Sequence, residues 1–223
     1  MKKEETLKIE IPPMKRTKIN VEIEGTSPLI VHRFGEKVKK QMLDKQQKKA
    51  NKGKEAKDPI ADFVHSLHIM NGADRNEIIA DLKKAGKEPG DDVASFFKNI
   101  PLGFPSGGFK KASISACRNI DGVPMTLARG AYHIIEDSQG LSEIKYERLI
   151  IREDSVKLQR NIADIRFRGE LQNWSATLHI DCNPMALSPE QVCNLIDMSG
   201  FAVDIGESRP ERGGSNGMFM LKR

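Results

Sequence analysis

The run from Trp174 to Cys182 constrains the fold most. Trp174, Ala176, Leu178 and Ile180 alternate with Ser175, Thr177 and His179, and that period of two puts every second side chain on one face of an extended strand. Such a strand needs neighbours for its backbone groups and an apolar layer against its buried face. Ala163 to Leu171 has the same character, with Ile165 and Phe167 alternating, and the two residues between the runs, Gln172 and Asn173, predict a hairpin. A third run, Ile19, Val21 and Ile23 interleaved with Asn20, Glu22 and Glu24, ends at Gly25 and predicts a strand over 17–24. Ala131 to Glu136, Ile144 to Ile151 and the short segment Met218 to Leu221 also read as strands.

Helices fall between them. Ser188-Pro-Glu-Gln191 predicts a helix start, with Ser188 as N-cap, Pro189 in the first position and Gln191 closing a capping box. Val192, Leu195 and Ile196 form its buried stripe, and Gly200 is expected to end it. Asp58 and Pro59 start another, burying Ile60, Phe63, Val64 and Leu67. After the Pro- and Gly-rich stretch from Ile100, Phe109, Ala112, Ala116 and Cys117 recur at helical spacing. Glu36 to Asn51 also favours helix, with a thin stripe of Val38, Met42 and Leu43. The expected fold class is α+β, an antiparallel sheet covered by helices. Residues 1–15 are expected to be a mobile arm, 16–223 a single domain, and 36–100 a mostly helical, lysine-rich insertion after the first strand.

With 223 residues the chain can bury a core without disulfides or metal. Its three cysteines, Cys117, Cys182 and Cys193, match neither zinc nor redox spacing, so they read as small buried hydrophobes in a reducing compartment. The sequence carries no membrane-length apolar stretch, and Met1 to Glu5 lacks the apolar core of a signal peptide; a cytoplasmic protein of a bacterial cell is expected. The net charge of +5 favours an anionic partner. Nine lysines against three acids give residues 36–57 a charge of +6, which leaves −1 for everything else.

Gly206-Glu-Ser-Arg-Pro-Glu-Arg-Gly-Gly-Ser-Asn-Gly217 combines glycines, two arginines and a serine before the last strand. Glycine lets backbone approach a ligand closely, exposed amides accept phosphate oxygens, and arginine forks pair with phosphate. A plain flexible turn is the rival reading. A second segment, Phe104-Pro-Ser-Gly-Gly-Phe-Lys-Lys-Ala-Ser-Ile-Ser-Ala-Cys-Arg118, resembles a proline, small-residue, lysine, alanine and arginine element of the RAMP superfamily, the RNA-binding backbone proteins of class 1 CRISPR effector complexes. Ile205 to Phe219 is similar to that family's C-terminal glycine-arginine loop, and Gly25-Thr-Ser-Pro-Leu29 to its opening. The chain is also similar to small proteins of phage and prophage genomes, which carry tryptophan where this one has Ser208. The resemblance implies a ferredoxin-like or RRM-like core whose copies assemble along single-stranded RNA, possessing other effector subunits as neighbours. Family members that cut RNA use an aspartate after the first strand; Thr26 to Phe34 has none, so cleavage by that route is not expected.

The nucleic-acid-binding residues expected are His32, Arg33, Lys110, Lys111, Arg118, Arg166, Arg168, Arg209, Arg212, Gly213, Gly214 and Ser215. Lys111 and Arg118 share a helix face, with a solvated face as the rival reading. Arg166 and Arg168 share a strand face, with cross-strand pairing to glutamates such as Glu170 as theirs. Trp174 falls among core positions, so few aromatics are left to stack bases, and backbone contacts are expected to dominate. His65 and His68 have no third ligand nearby in sequence, and no nucleophile-base order stands out; metal, cofactor and catalysis are not expected. The partners expected are a single strand, RNA before DNA, and further copies of the chain. A phage factor docking on a host defence or replication complex through the helical insertion is one alternative, and a nuclease using His32 and arginines is another.

Overall fold

Three times the chain crosses a corner between two sheets. The computed structural model describes residues 12–47, 56–157 and 163–222; most of the expected N-terminal arm, residues 1–11, and the lysine-rich tail, residues 48–55, lie outside them, as does the side chain of Val38. The strands are β1 (Thr17–Gly25), β2 (Leu29–Val31), β3 (Leu102–Pro105), β4 (Tyr132–Ile135), β5 (Leu141–Lys145), β6 (Arg148–Lys157), β7 (Ala163–Gln172), β8 (Ser175–Cys182) and β9 (Phe219–Leu221). The helices are α1 (Glu36–Gln46), α2 (Pro59–Ser66), α3 (Arg75–Lys84), α4 (Ser106–Ala116), α5 (Met125–Ala131) and α6 (Pro189–Ala202). The larger sheet has the order β3-β5-β8-β1-β9, with β4 also on β8; the smaller has the order β2-β7-β6; all pairs are antiparallel. The fold is α+β, as the sequence predicts.

The order β5-β8-β1 of the larger sheet continues as β6-β7-β2 in the smaller, so the two form one ribbon bent at residues 26–28, 146–147 and 173–174. This corrects two expectations. β7 and β8 do not form a hairpin: Asn173, with φ of 50°, carries the chain round the corner, and β8 pairs with β1 from Thr17↔Cys182 to Glu24↔Ser175. Ile144 to Ile151 is not one strand, because the same corner splits it into β5 and β6. Trp174 fills the corner, 1% exposed, with its indole N–H donating to the Ser27 carbonyl at 2.8 Å. Its ring lies against Gly25, where an added Cβ would stand 2.1 Å from Nε1. Gly25→Ala is therefore expected to destabilise the protein by about 3 kcal/mol in urea denaturation, since a packed indole has nowhere to go.

One face of the larger sheet is covered by α4 and α6, whose Phe109, Ala112, Val192, Leu195 and Ile196 bury Val21, Ile23, Leu178 and Ile180. An aromatic chain links them: Phe104 to Phe109 at 5.6 Å, Phe109 to Phe219 at 6.0 Å, and Phe219 to Trp174 at 6.1 Å between ring centres. The capping box at Ser188 and Gln191 forms as predicted. Gly200 does not end α6, which runs on to Ala202; glycine is required there because a Cβ would lie 2.1 Å from the Phe219 carbonyl oxygen. α2 starts at the Asp58 cap and covers one face of the smaller sheet, with Leu67 pressed onto Gly169.

Candidate nucleic-acid interface

The opposite face of the smaller sheet is polar. Register places Arg152 opposite Arg168 and Asp154 opposite Arg166, with Glu170 next along β7. Like charges directly opposite repel, so the cross-strand pairs form diagonally: Arg152 reaches Glu170 at 2.5 Å and Arg168 donates to Asp154 at 3.2 Å, while Arg152 also reaches Asp154 on its own strand at 2.8 Å. Arg168 is 3% exposed and spent in that lattice, whereas Arg166 keeps about a third of its side chain in solvent and lies 3.7 Å from Asp164. The sequence's two readings of these arginines thus divide between them: pairing takes Arg168, and Arg166 stays at the surface. His32 leaves β2 beside both. Burial, then the positive charge of Arg168, lowers its pKa; Glu207 opposes that, and Arg166 adds to it.

Glu207 belongs to the glycine-arginine loop, which is seated on β2. Its N–H donates to the Ile30 carbonyl and that of Gly217 to the Pro28 carbonyl. Within the loop the amides of Gly213, Gly214 and Asn216 are already used, donating to Pro210, Arg209 and Ser208. Gly213, at φ 78°, makes the turn, and Gly214 lets two backbone segments touch, since a Cβ there would lie 1.7 Å from the Ser208 oxygen. The glycines therefore build a rigid turn rather than an open cradle of amides. The exposed residues of the loop are Ser208, Glu211, Arg212, Gly213 and Ser215.

The two segments singled out in the sequence meet here. Arg118, at the end of α4's 3₁₀ extension, lies 3.6 Å from Glu211, and Arg209 lies 3.3 Å from the same carboxylate. Arg118 keeps 63% of its side chain exposed. Lys111 is also exposed, and neither it nor Arg212 makes an ion pair among the described residues. Lys110 turns the other way. Its ammonium donates to the carbonyls of Ala128 and Tyr132, each at 2.6 Å, and sits 3.3 Å from the Tyr132 ring centre; burial brings its pKa down to about 8. It ties α4 to α5 and β4. Arg33 also departs, because one residue beyond His32 in the chain it points to the other side, toward His65, His68 and Arg75.

The uncovered face of the larger sheet is a different surface. Glu22, Glu143, Asp137, His179, Lys145 and Lys222 line a shallow cleft there, and the only aromatic ring among them is the imidazole. Acids and lysines mixed in this way do not attract a polyanion. One element the sequence did not single out is Asp204, at the loop's entrance: 1% exposed, with φ of 64° and neither carboxylate oxygen hydrogen-bonded among the described residues.

Fold and site together define a two-sheet α+β protein with a cationic edge where the end of α4 meets the C-terminal loop. No protein-family model matches the chain, and no curated protein does. Among solved structures, Cmr6 from Pyrococcus furiosus is similar at 12% identity over 94% of this chain and 100% of that one, with a TM-score of 0.30, a value too low to carry an argument. Among the described residues no helix is long and apolar enough to cross a membrane, and no three metal-ligating side chains cluster.

Proposed function

We propose that this chain is a non-catalytic, RAMP-like subunit that binds single-stranded nucleic acid, RNA in preference to DNA, and assembles side by side along the strand. The observation that supports it most is the meeting of Arg118 with the glycine-arginine loop across Glu211, beside exposed Lys111 and Arg212. These cations sit on α4 with its 3₁₀ extension and on the loop, and line a rigid surface, which suits a phosphate backbone. Stacking groups are scarce on it, so sequence preference is weak. Assembly is favoured by apolar side chains left exposed on α6, where Phe201 is 73% and Met198 37% exposed.

Fluorescence polarisation with single strands of about 30 nucleotides tests the binding. Affinity is expected to fall steeply between about 50 and about 200 mM salt, and to differ little between mixed sequences. Light scattering of the same samples is expected to show several copies per strand. Salt-insensitive binding, or none, would rule the reading out.

A further inference from the structure

Phe34, Met42 and Leu43 are between 49% and 52% exposed, and the last two are consecutive on α1. On α6, Met198 and Phe201 are exposed three residues apart, which places them on one side of the helix. We propose that α1 of one copy docks on the outer face of α6 in the next, an inference that rests on the side-by-side assembly given above and names the two surfaces that meet in it.

Among the described residues no side chain of α1 is buried, and no helix or strand packs broadly on it. A helix of 11 residues is marginal in water until its apolar face is covered, and this one leaves Met42 and Leu43 in solvent. Four lysines, Lys37, Lys39, Lys40 and Lys45, against Glu36 and Asp44 give it a net charge of +2. A basic helix with an apolar stripe fits a surface that is apolar and acidic. The outer face of α6 has that chemistry. The helix contains no lysine or arginine, and its charged residues are Glu190 and Asp197. Glu190, Asn194, Met198 and Phe201 are all exposed and recur at helical spacing, so they share one face. Asp197, which accepts the Leu221 N–H at 2.8 Å, holds β9 beside that face.

Charge selects which surfaces pair. Two copies of α1 would set lysines against lysines and two copies of α6 acid against acid, whereas α1 on α6 is complementary in sign and in apolar character. α1 follows β2 of the smaller sheet and α6 covers the larger one, so each copy offers one surface and receives on the other, and the contact repeats from copy to copy. At 1.5 Å per residue α1 is about 16 Å long, and one face of such a helix covers less than the roughly 800 Å² per partner of a stable interface. The contact is therefore weak between free copies. It takes effect on a strand, where a neighbour bound alongside is present at an effective concentration of the order of millimolar.

Sedimentation of the intact chain on single-stranded RNA of about 30 nucleotides, with the strand in excess, tests the contact. The parent is expected to gather as several copies on few strands, adjacent binding being favoured about tenfold or more over isolated binding. Met42→Gln with Leu43→Gln removes the apolar contact from α1, and Met198→Gln with Phe201→Gln removes it from α6. Neither changes the charge, so each variant is expected to bind strands as single copies with the parent's isolated-site affinity. Phe201→Gln alone serves for α6 if the double change lowers the melting temperature. Each variant keeps the surface that the other lacks, so an equal mixture is expected to form pairs and nothing larger. Clusters like the parent's from either variant alone, or a mixture that stays single, would overturn the contact while leaving strand binding in place. A parent that binds only as isolated copies would overturn the contact and the side-by-side assembly together, and a parent that binds no strand would overturn the whole reading.

Discussion

Replacing Lys111, Arg118 and Arg212 together by glutamine lowers the affinity for single-stranded RNA by on the order of tenfold or more at low salt. It also flattens the dependence of log affinity on log salt by about 2, because each phosphate contact on a single strand releases about 0.7 of a counterion. All three side chains are exposed, and only Arg118 has an ion-pair partner among the described residues, Glu211. Exposed pairs of that kind contribute little to stability, so the melting temperature should hold. The matched control removes equal charge from the uncovered face of the larger sheet: Lys18, Lys145 and Lys222 to glutamine. That variant is expected to bind within about threefold of the parent, since counterion release depends on contacts rather than on net charge. Equal losses in both triples would mean that total charge, and not this edge, attracts the strand. Arg168 and Lys110 are left out of the test because each holds the fold together, one in the lattice with Asp154 and the other on the carbonyls of Ala128 and Tyr132.

Features governed by local chemistry are legible in the sequence, and those governed by tertiary neighbours are not. The caps at Asp58 and Ser188, the strand at β1 and the burial of Trp174 each follow from a few adjacent residues, and each is present. The corner is not legible, because Gln172 and Asn173 have the chemistry of a tight turn while the choice between reversing and bending rests on where the indole of Trp174 finds Gly25 and Ser27. Three-residue β2 and four-residue β3 are too short to show a period and exist through their partners on β7 and β5. In the candidate site, the pairing of the Phe104 to Arg118 segment with the glycine-arginine loop is visible in the sequence only as a resemblance. Glu211, which Arg118 and Arg209 share, gave no signal. Nor does sequence reveal that Arg168 is buried while Arg166 is not: both occupy the same strand face, and only the neighbouring β6 supplies Arg152 and Asp154 to enclose one of them.

Asp204 decides how the loop responds to pH. Its carboxylate is buried at the turn out of α6, its own amide donates to the Ser199 carbonyl at 2.8 Å, and its oxygens have no hydrogen-bond partner among the described residues. Burial pushes its pKa up to about 7, against the pull of Arg209, whose Nε is likewise buried and without a hydrogen-bond partner among the described residues. A carboxyl group with a raised pKa favours the folded state when protonated. Its contribution is full below the unfolded value near 3.8 and is lost as pH rises through about 7. The expected loss is on the order of 4 kcal/mol, from about 1.4 kcal/mol for each pH unit of separation. Asp204→Asn keeps the shape and removes the titration, so the variant should be the more stable protein above neutral pH, and the difference should close as the medium becomes acid. His32, His65 and His68, all lowered, act in the opposite sense and destabilise both proteins alike as pH falls through their unfolded range. The parent-minus-variant difference therefore isolates Asp204. Urea midpoints for the two proteins across this pH range measure it, and parallel curves would mean that folding does not raise the Asp204 pKa, the charge of Arg209 then offsetting burial.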